Sequence, residues 1–386
     1  MTSVAPKAHA GAGDAVTPGD VMHLSRNRHA AEKDGRDSPS MRLALITDAW
    51  EPQTNGVVST LRHTCRELEA LGVEVLRVTP QGFASVPCPS YPELRLSLPP
   101  RGHLDRVLGD FRPDAVHIAT EGTLGLAARA WCLRNRRRFS TAYHTQFPEY
   151  VRARWPIPLG VSYGYLRWFH GAASATMVST PTMRRELAAR GFRRLRHWGR
   201  GVDTALFRPQ PRPDDTPVFT CLGRVAVEKN IETFLALDLP GRKEIIGDGP
   251  ARAALQRRYP DAVFHGTLRG EALARQLAAA SVLVFPSRTD TFGLVMLEAM
   301  ACGVPVAAFP VTGPVDVITP GVTGVMDEDL RRAALAALTL DRGTVRAQAL
   351  GRSWRASTLE FLFNLVPAES AVRARVRRWR HAVAAP

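Results

Sequence analysis

The stretch Phe285-Pro-Ser-Arg-Thr-Asp-Thr-Phe-Gly-Leu-Val-Met-Leu-Glu-Ala-Met-Ala-Cys-Gly-Val-Pro-Val306 decides the fold. The apolar run Val282 to Phe285 reads as a buried strand. A polar loop carrying Asp290 follows, and a helix is expected to open near Gly293. The first amides of that helix, from Phe292 to Val295, then stand unpaired at a positive helix end, where phosphate or sugar hydroxyls can accept from them. Glu298 lies about one turn further in. There a carboxylate can take both hydroxyls of a ribose, as acidic residues do in dinucleotide folds. An acid favouring the helix dipole is the plainer reading of Glu298, but it does not account for the whole string.

The same strand, loop and helix unit recurs outward in both directions. Upstream strands are read at Val218 to Leu222, Lys243 to Ile246 and Ala262 to Phe264, and another follows at Val306 to Phe309. The polar segment from Phe207 to Pro217 carries Pro209, Pro211 and Pro213 and reads as a linker. Before it the alternation starts afresh, with strands at Arg42 to Thr47, Val73 to Val78, Ala115 to Ala119, Ser140 to His144 and Ala175 to Ser179, and an amphipathic helix from Val57 to Leu71. Strands separated by helix-sized spacers imply mostly parallel sheets covered on both faces. The expected class is α/β, with two Rossmann-like doubly wound domains facing a central cleft. The divisions are a disordered tail over 1–40, an N-terminal Rossmann-like domain over 41–207, a C-terminal Rossmann-like domain over 208–350, and C-terminal helices with a basic tail over 351–386, crossing back to the first domain. Met41 is a second candidate start.

Composition agrees with two packed domains, since 386 residues with 45% hydrophobic and 23% charged side chains exceed what one small core needs. The formal charge of +15 favours phosphate-rich partners, although an arginine-rich and alanine-rich genome would give the same excess. Cys65, Cys88, Cys132, Cys221 and Cys302 are scattered without metal-ligand spacing, which fits reduced thiols. No apolar run reaches the roughly 18 residues of a membrane span, and 1–40 holds no signal-type apolar stretch. A cytoplasmic location follows as an expectation. The run Val372-Arg-Ala-Arg-Val-Arg-Arg-Trp-Arg380 makes an anionic membrane surface a candidate partner, with a solvated helix face as the alternative. No nucleic-acid motif accompanies the charge, so nucleic acid is not an expected partner.

Ligands of open α/β sheets sit at the carboxyl ends of the strands, so the loops there hold the candidates. In the first domain Gly56 follows Thr47 to Asn55 at the mouth of a helix, where it admits a close ligand or makes an ordinary turn. The loop after Ser140 to His144 holds His144 and Glu149, kept out of helix by Pro148. His144 suits binding of sugar hydroxyls or proton handling near neutral pH, with a structural histidine as the alternative. In the second domain Gly223, Arg224 and Lys229 follow a strand, and two cations there suit a diphosphate leaving group. The turn Ile246-Gly-Asp-Gly-Pro250 is equally a ligand loop or a plain turn.

Taken in order, these motifs resemble glycosyltransferase family 4, of GT-B fold, over roughly Arg42 to Leu365. The family pairs two acids with seven residues between them, here Asp290 and Glu298, the first being Asp where many members have Glu. Thr289-Asp-Thr-Phe-Gly293 and His144-Thr-Gln-Phe-Pro-Glu-Tyr150 are similar to the branch with GDP-mannose-dependent α-mannosyltransferases and sulfoquinovosyl-diacylglycerol synthases. The resemblance implies that Glu298 holds the donor ribose and Asp290 a hydroxyl of the transferred sugar. It gives Arg224 and Lys229 the diphosphate and sets Gly223, Phe292, Gly293 and Leu294 around the donor. Gly56 would crowd the donor from the first domain, with His144 and Glu149 on the acceptor side. It further implies transfer of a hexose, mannose from GDP-mannose, to a lipid or glycolipid with retention of configuration and no cofactor or metal. A UDP-sugar transferase acting on a polyprenyl-linked or soluble saccharide is the alternative. The short acidic cluster Asp327-Glu-Asp329 reads as a solvent-facing helix start.

Overall fold

The computed structural model describes residues 41–88, 91–211 and 216–374, together with 376, 377 and 379. The expected tail over 1–40, part of the proline-rich linker and part of the basic C-terminal run lie outside the described residues.

The first domain runs β1 (Arg42–Ile46), α1 (Gly56–Ala70), β2 (Glu74–Val78), β3 (Ser85–Cys88), β4 (Tyr91–Ser97), α2 (His103–Phe111), β5 (Ala115–Ile118) and α3 (Thr123–Arg134). It continues through β6 (Ser140–Tyr143), α4 (Phe147–Arg154), α5 (Leu159–Gly171), β7 (Ala175–Val178), α6 (Pro181–Ala189) and β8 (Leu195–His197). The second begins with β9 (Val218–Leu222), a 3-10 turn (Val227–Lys229), α7 (Ile231–Leu235), β10 (Arg242–Ile246), α8 (Arg252–Arg258), β11 (Val263–Gly266) and α9 (Gly270–Ala279). It is completed by β12 (Val282–Phe285), α10 (Leu294–Ala301), β13 (Val306–Ala308), α11 (Pro314–Val317), β14 (Gly324–Met326), α12 (Leu330–Ala337) and α13 (Arg342–Leu350). The last helix, α14 (Trp354–Asn364), returns to the first domain.

Each domain holds one six-stranded sheet, ordered β2-β1-β5-β6-β7-β8 and β11-β10-β9-β12-β13-β14. Every pairing within them is parallel. The order reverses beside β1 and β9, which open their domains, and so marks the switch point where such sheets take ligands. Strands covered on both faces do not alternate between buried and exposed positions, and β5, β6, β7 and β12 are fully buried runs. One core lies on each face of each sheet.

The return of α14 has a physical basis. Phe361 and Leu362 are fully buried in the core between α1 and the first sheet, and Leu365 and Val376 join them. Truncating a buried phenylalanine such as Phe361 costs about 3–5 kcal/mol. The backbone of Val202 donates to Arg352 O at 2.9 Å, and Trp354 stacks on His63 with ring centroids 4.6 Å apart. The crossing therefore clamps residues 199–202, and with them Arg200, against the first domain. Trp379 also packs on this core instead of pointing outward.

Candidate active site

The cleft is seamed by hydrogen bonds between the domains. Thr291 Oγ1 donates to His144 O at 2.7 Å, Ser179 Oγ to Thr291 O at 2.9 Å, and Gln146 Nε2 to Asp290 O at 3.4 Å. At its rim Arg269 donates to Thr54 Oγ1 at 2.7 Å. The loop after β12 is thereby held against the loop after β6, which brings Asp290 and His144 to one place.

Gly293 makes the turn into α10. Its φ of +85° lies in the left-handed region, and a Cβ there would stand 2.7 Å from Met296 Cε and 3.0 Å from Phe285 Cζ. No side chain caps this helix end. Phe292 turns its ring into the core, so its part in a site is limited to its backbone. Leu294 faces Gly56 across the cleft, and a Cβ on Gly56 would lie 3.5 Å from Leu294 Cδ1. At the mouth of α1, Asn55 Oδ1 already accepts from Val57 N and Val58 N, both at 3.0 Å. What Gly56 leaves open toward the cleft is therefore the space of its missing side chain and not an open helix end. Behind it, buried Asp48 accepts from Leu124 N at 2.8 Å and from Thr120 Oγ1 at 2.8 Å, tying the β1 loop to the start of α3. Burial holds the Asp48 pKa above the usual carboxylate range.

The charged groups gather at the strand ends. Lys229 Nζ donates to Asp290 Oδ1 at 2.6 Å, while Asp290 Oδ2 is buried without a partner. Burial by itself works against the lysine charge, yet Asp290 and Tyr150 outweigh it and the ammonium's pKa stands above the ordinary range. Tyr150 sits beside this pair, its phenol pushed up to about 12 by burial. Arg224 pairs with Glu228 at 3.3 Å, and Gly223 precedes it with φ of +150°. Asn230, in a left-handed turn with φ of 53°, donates to Pro286 O at 3.1 Å and locks the β9 loop to the β12 loop. The turn after β10 packs on that loop as well, with Val225 N donating to Asp248 O at 2.9 Å.

Glu298 is half-buried one turn into α10, and its side chain makes no hydrogen bond among the described residues. Burial raises its pKa to about 7. An unpaired, partly desolvated carboxylate at this point is a ready acceptor for a pair of hydroxyls.

The reading of His144 needs correction. Arg200 donates to His144 Nδ1 at 3.2 Å, and because a guanidinium cannot accept, Nδ1 carries no proton. The neutral ring therefore bears its hydrogen on Nε2, which is buried and without a partner. Burial, then Arg200, His117 and His170, hold the pKa well below the usual value. His144 does not exchange protons near neutral pH; it presents one fixed N–H donor. Arg200 lies over Trp198 at 4.5 Å and donates to Trp198 O at 2.6 Å, with burial lowering its own pKa to about 9. Glu149 accepts from Tyr163 at 2.6 Å, and its other oxygen is buried and unpaired.

Sequence reasoning missed Arg200, Trp198 and Tyr150. An arginine between two glycines, Gly199-Arg-Gly201, beside a tryptophan was the available signal. The acidic cluster is accounted for without a ligand: Asp329 caps α12, Asp327 pairs with Arg332 at 2.6 Å and Glu328 with Arg288 at 3.0 Å. Among the described residues no group of three or more His, Cys, Asp or Glu side chains is placed to share a metal. A groove of about 460 Å³ beside β11, lined by Gln210, His265 and Gln276, is remote from these groups, and His265 and Gln276 are both spent on Glu244.

Residues 54–206 match the Glycosyltransferase Family 4 domain and residues 216–341 the Glycosyl transferases group 1 domain. The GDP-mannose-dependent alpha-mannosyltransferase of Mycobacterium tuberculosis (strain CDC 1551 / Oshkosh) is 31% identical over 353 residues, covering 81% of this chain and 93% of that one. The sulfoquinovosyl transferase SQD2 of Arabidopsis thaliana is 30% identical over 369 residues, 83% of this chain and 72% of its own. The solved sucrose-phosphate synthase of Thermosynechococcus elongatus superposes with a TM-score of 0.66 at 23% identity over 83% of this chain and 97% of that chain, a likeness that bears on the fold. Two facing parallel-sheet domains with charged groups on opposed strand ends define a sugar transferase of GT-B architecture. Within that class the chain belongs to glycosyltransferase family 4 and is a hexosyltransferase.

Proposed function

We propose that the protein moves a mannosyl group from GDP-mannose to a glycolipid acceptor at the cytoplasmic face of a membrane, with retention of configuration and without a metal. The observation that carries this reading is the unpartnered Glu298 carboxylate one turn into α10, the helix that follows the loop on which Asp290 pairs with Lys229 and Thr291 bonds His144 O. Glu298 accepts from both ribose hydroxyls. Lys229 and Arg224 offset the charge that grows on the diphosphate as the bond from sugar C1 to phosphate oxygen breaks. The free Oδ2 of Asp290 and the Nε2–H of His144 hold hydroxyls of the transferred sugar, so that the new bond to the acceptor oxygen forms on a fixed face. The acceptor proton leaves with the departing diphosphate.

The mannosyltransferase names of the relatives support the sugar and the nucleotide. The glycolipid acceptor is supported by a relative named as a phosphatidylinositol monomannoside mannosyltransferase, 32% identical over 216 residues. No described helix is long and apolar enough to cross a membrane. The exposed Arg373 and Arg377 add attraction to anionic headgroups. Incubation with a panel of GDP- and UDP-hexoses and membrane lipid extract tests the proposal. A new mannolipid formed from GDP-mannose supports it; turnover of a UDP-hexose alone overturns the donor assignment.

A further inference from the structure

We infer that the tip formed by the end of α4 and the outer face of α5 is the surface by which the protein docks on an anionic lipid bilayer, an inference that rests on the lipid-acceptor reading. Large apolar side chains exposed to water concentrate there. Of the thirteen exposed large hydrophobic side chains among the described residues, Trp155, Ile157, Val161, Tyr165 and Trp168 fall within this one hairpin, with Val161 at 65%, Trp168 at 54% and Trp155 at 49% exposure. The concentration marks an interaction site, since apolar residues scattered singly need no explanation.

The pattern within α5 is that of an interfacial helix. Tyr163, Leu166, Phe169 and His170 are buried and fix the helix to the domain, while Val161, Tyr165 and Trp168, spaced four and three apart, share the opposite face. Tyr165 and Trp168 lie 5.9 Å apart, and Arg129 sits 3.9 Å over the Trp168 ring. Charge favours an anionic partner. Between Glu149 and Glu186 the chain has no Asp or Glu, yet it carries Arg152 and Arg167, both exposed. Arg129 adds a third cation at the patch, and the nearest acid, Glu121, is spent on His170 at 3.1 Å. Aromatic rings with arginines around them suit the headgroup boundary of a bilayer.

The backbone of the tip is also prepared for an apolar phase. Pro156 and Pro158 have no N–H, Trp155 N donates to Val151 O at 2.8 Å, and Ile157 N to Trp155 O at 2.7 Å. The connecting residues 155–158 thus bring no unpaired backbone donor, and the uncapped first amides of α5 are left for headgroup phosphate or water to pair. Position completes the case. The eight-residue α4 begins at the cleft, where Glu149 bonds α5 through Tyr163 and Tyr150 lies beside Lys229 and Asp290, and ends at the tip about 12 Å away. A lipid headgroup drawn along α4 would arrive between His144 and Asp290 with its chains still in the bilayer. The C-terminal Trp379, by contrast, is packed on the first-domain core.

Flotation of the full chain with phosphatidylcholine vesicles, with and without phosphatidylglycerol, tests the assignment. Trp155→Ser/Trp168→Ser should weaken binding to the mixed vesicles by about tenfold or more, and Ile157→Glu/Val161→Glu, which keeps both indoles, should do the same. Donor hydrolysis and thermal stability should stay at the wild-type level in both, as they should, with binding intact, in the control Leu350→Ser. Equal flotation of wild type and both variants overturns the surface. Failure of the wild type to float overturns docking, as does self-association that the variants abolish. Failure of the acceptor reading looks different: vesicle binding persists, but sugar passes only to a soluble saccharide.

Discussion

Replacing Glu298 by glutamine should make the protein more stable and a worse enzyme. The carboxyl titrates near 7 in the folded chain against 4.5 when unfolded, because burial penalises its charge. A carboxyl raised in this way leaves stability intact below about pH 4.5, removes it progressively above that, and removes the full amount above about pH 7. At 1.36 kcal/mol for each tenfold displacement the interval is worth about 3 kcal/mol, and water reaching the half-buried group reduces this to roughly 1–2 kcal/mol. Glutamine is uncharged throughout, so Glu298→Gln should gain roughly 1–2 kcal/mol over wild type at pH 8 and nothing at pH 4.5. In thermal unfolding this corresponds to about 2–8 °C. Loss of a charged acceptor for the ribose should raise the donor KM about 10–100-fold. The ribose is held alike before and during transfer, so kcat should change far less. Thermal melts at the two pH values and donor saturation curves test both halves. A variant no more stable at pH 8, or one with an unchanged donor KM, refutes the reasoning.

Other expectations follow from neighbouring contacts. Lys229→Met leaves the Asp290 carboxylate buried and unpaired, which should cost about 3–5 kcal/mol in denaturant unfolding and lower kcat by about 10²–10³ or more; adding Asp290→Asn should restore folding but not turnover. In a ring-proton NMR titration of the wild type His144 should show no inflection between pH 6 and 8, because burial, Arg200, His117 and His170 keep it neutral. Arg200→Met removes one of these charges and should raise the ring's pKa above the wild-type position, with burial still holding it below the ordinary value. Gly293→Ala forces a left-handed backbone and a collision with Met296 Cε, so it should lose about 1–3 kcal/mol by thermal or chemical unfolding.

The strands were legible where both faces are buried. Val218 to Leu222 and Val282 to Phe285 match β9 and β12 to the residue, since a doubly covered strand reads as a nearly continuous apolar run with clear limits. The three-residue edge strands β8 and β14 were not read, because an element so short leaves no period. The β3–β4 hairpin escaped as well, and it stands outside both sheets. The meeting of Asp290 and Lys229 was within reach of the sequence, because the loops after β12 and β9 can be located from the strands alone. Arg200 was not, because it reaches His144 through the clamp made by α14, more than 150 residues further along the chain. Which of the roles open to His144 its surroundings favour was not legible either, since the guanidinium that meets its Nδ1 is a neighbour only in the folded chain.

Proton NMR of GDP-mannose, the protein, EDTA and a glycolipid acceptor tests the central claim most directly. The account predicts that GDP appears in step with an α-linked mannolipid and that EDTA leaves the rate unchanged. A β-linked product, a rate abolished by EDTA, or release of GDP with no mannose on the acceptor would contradict it.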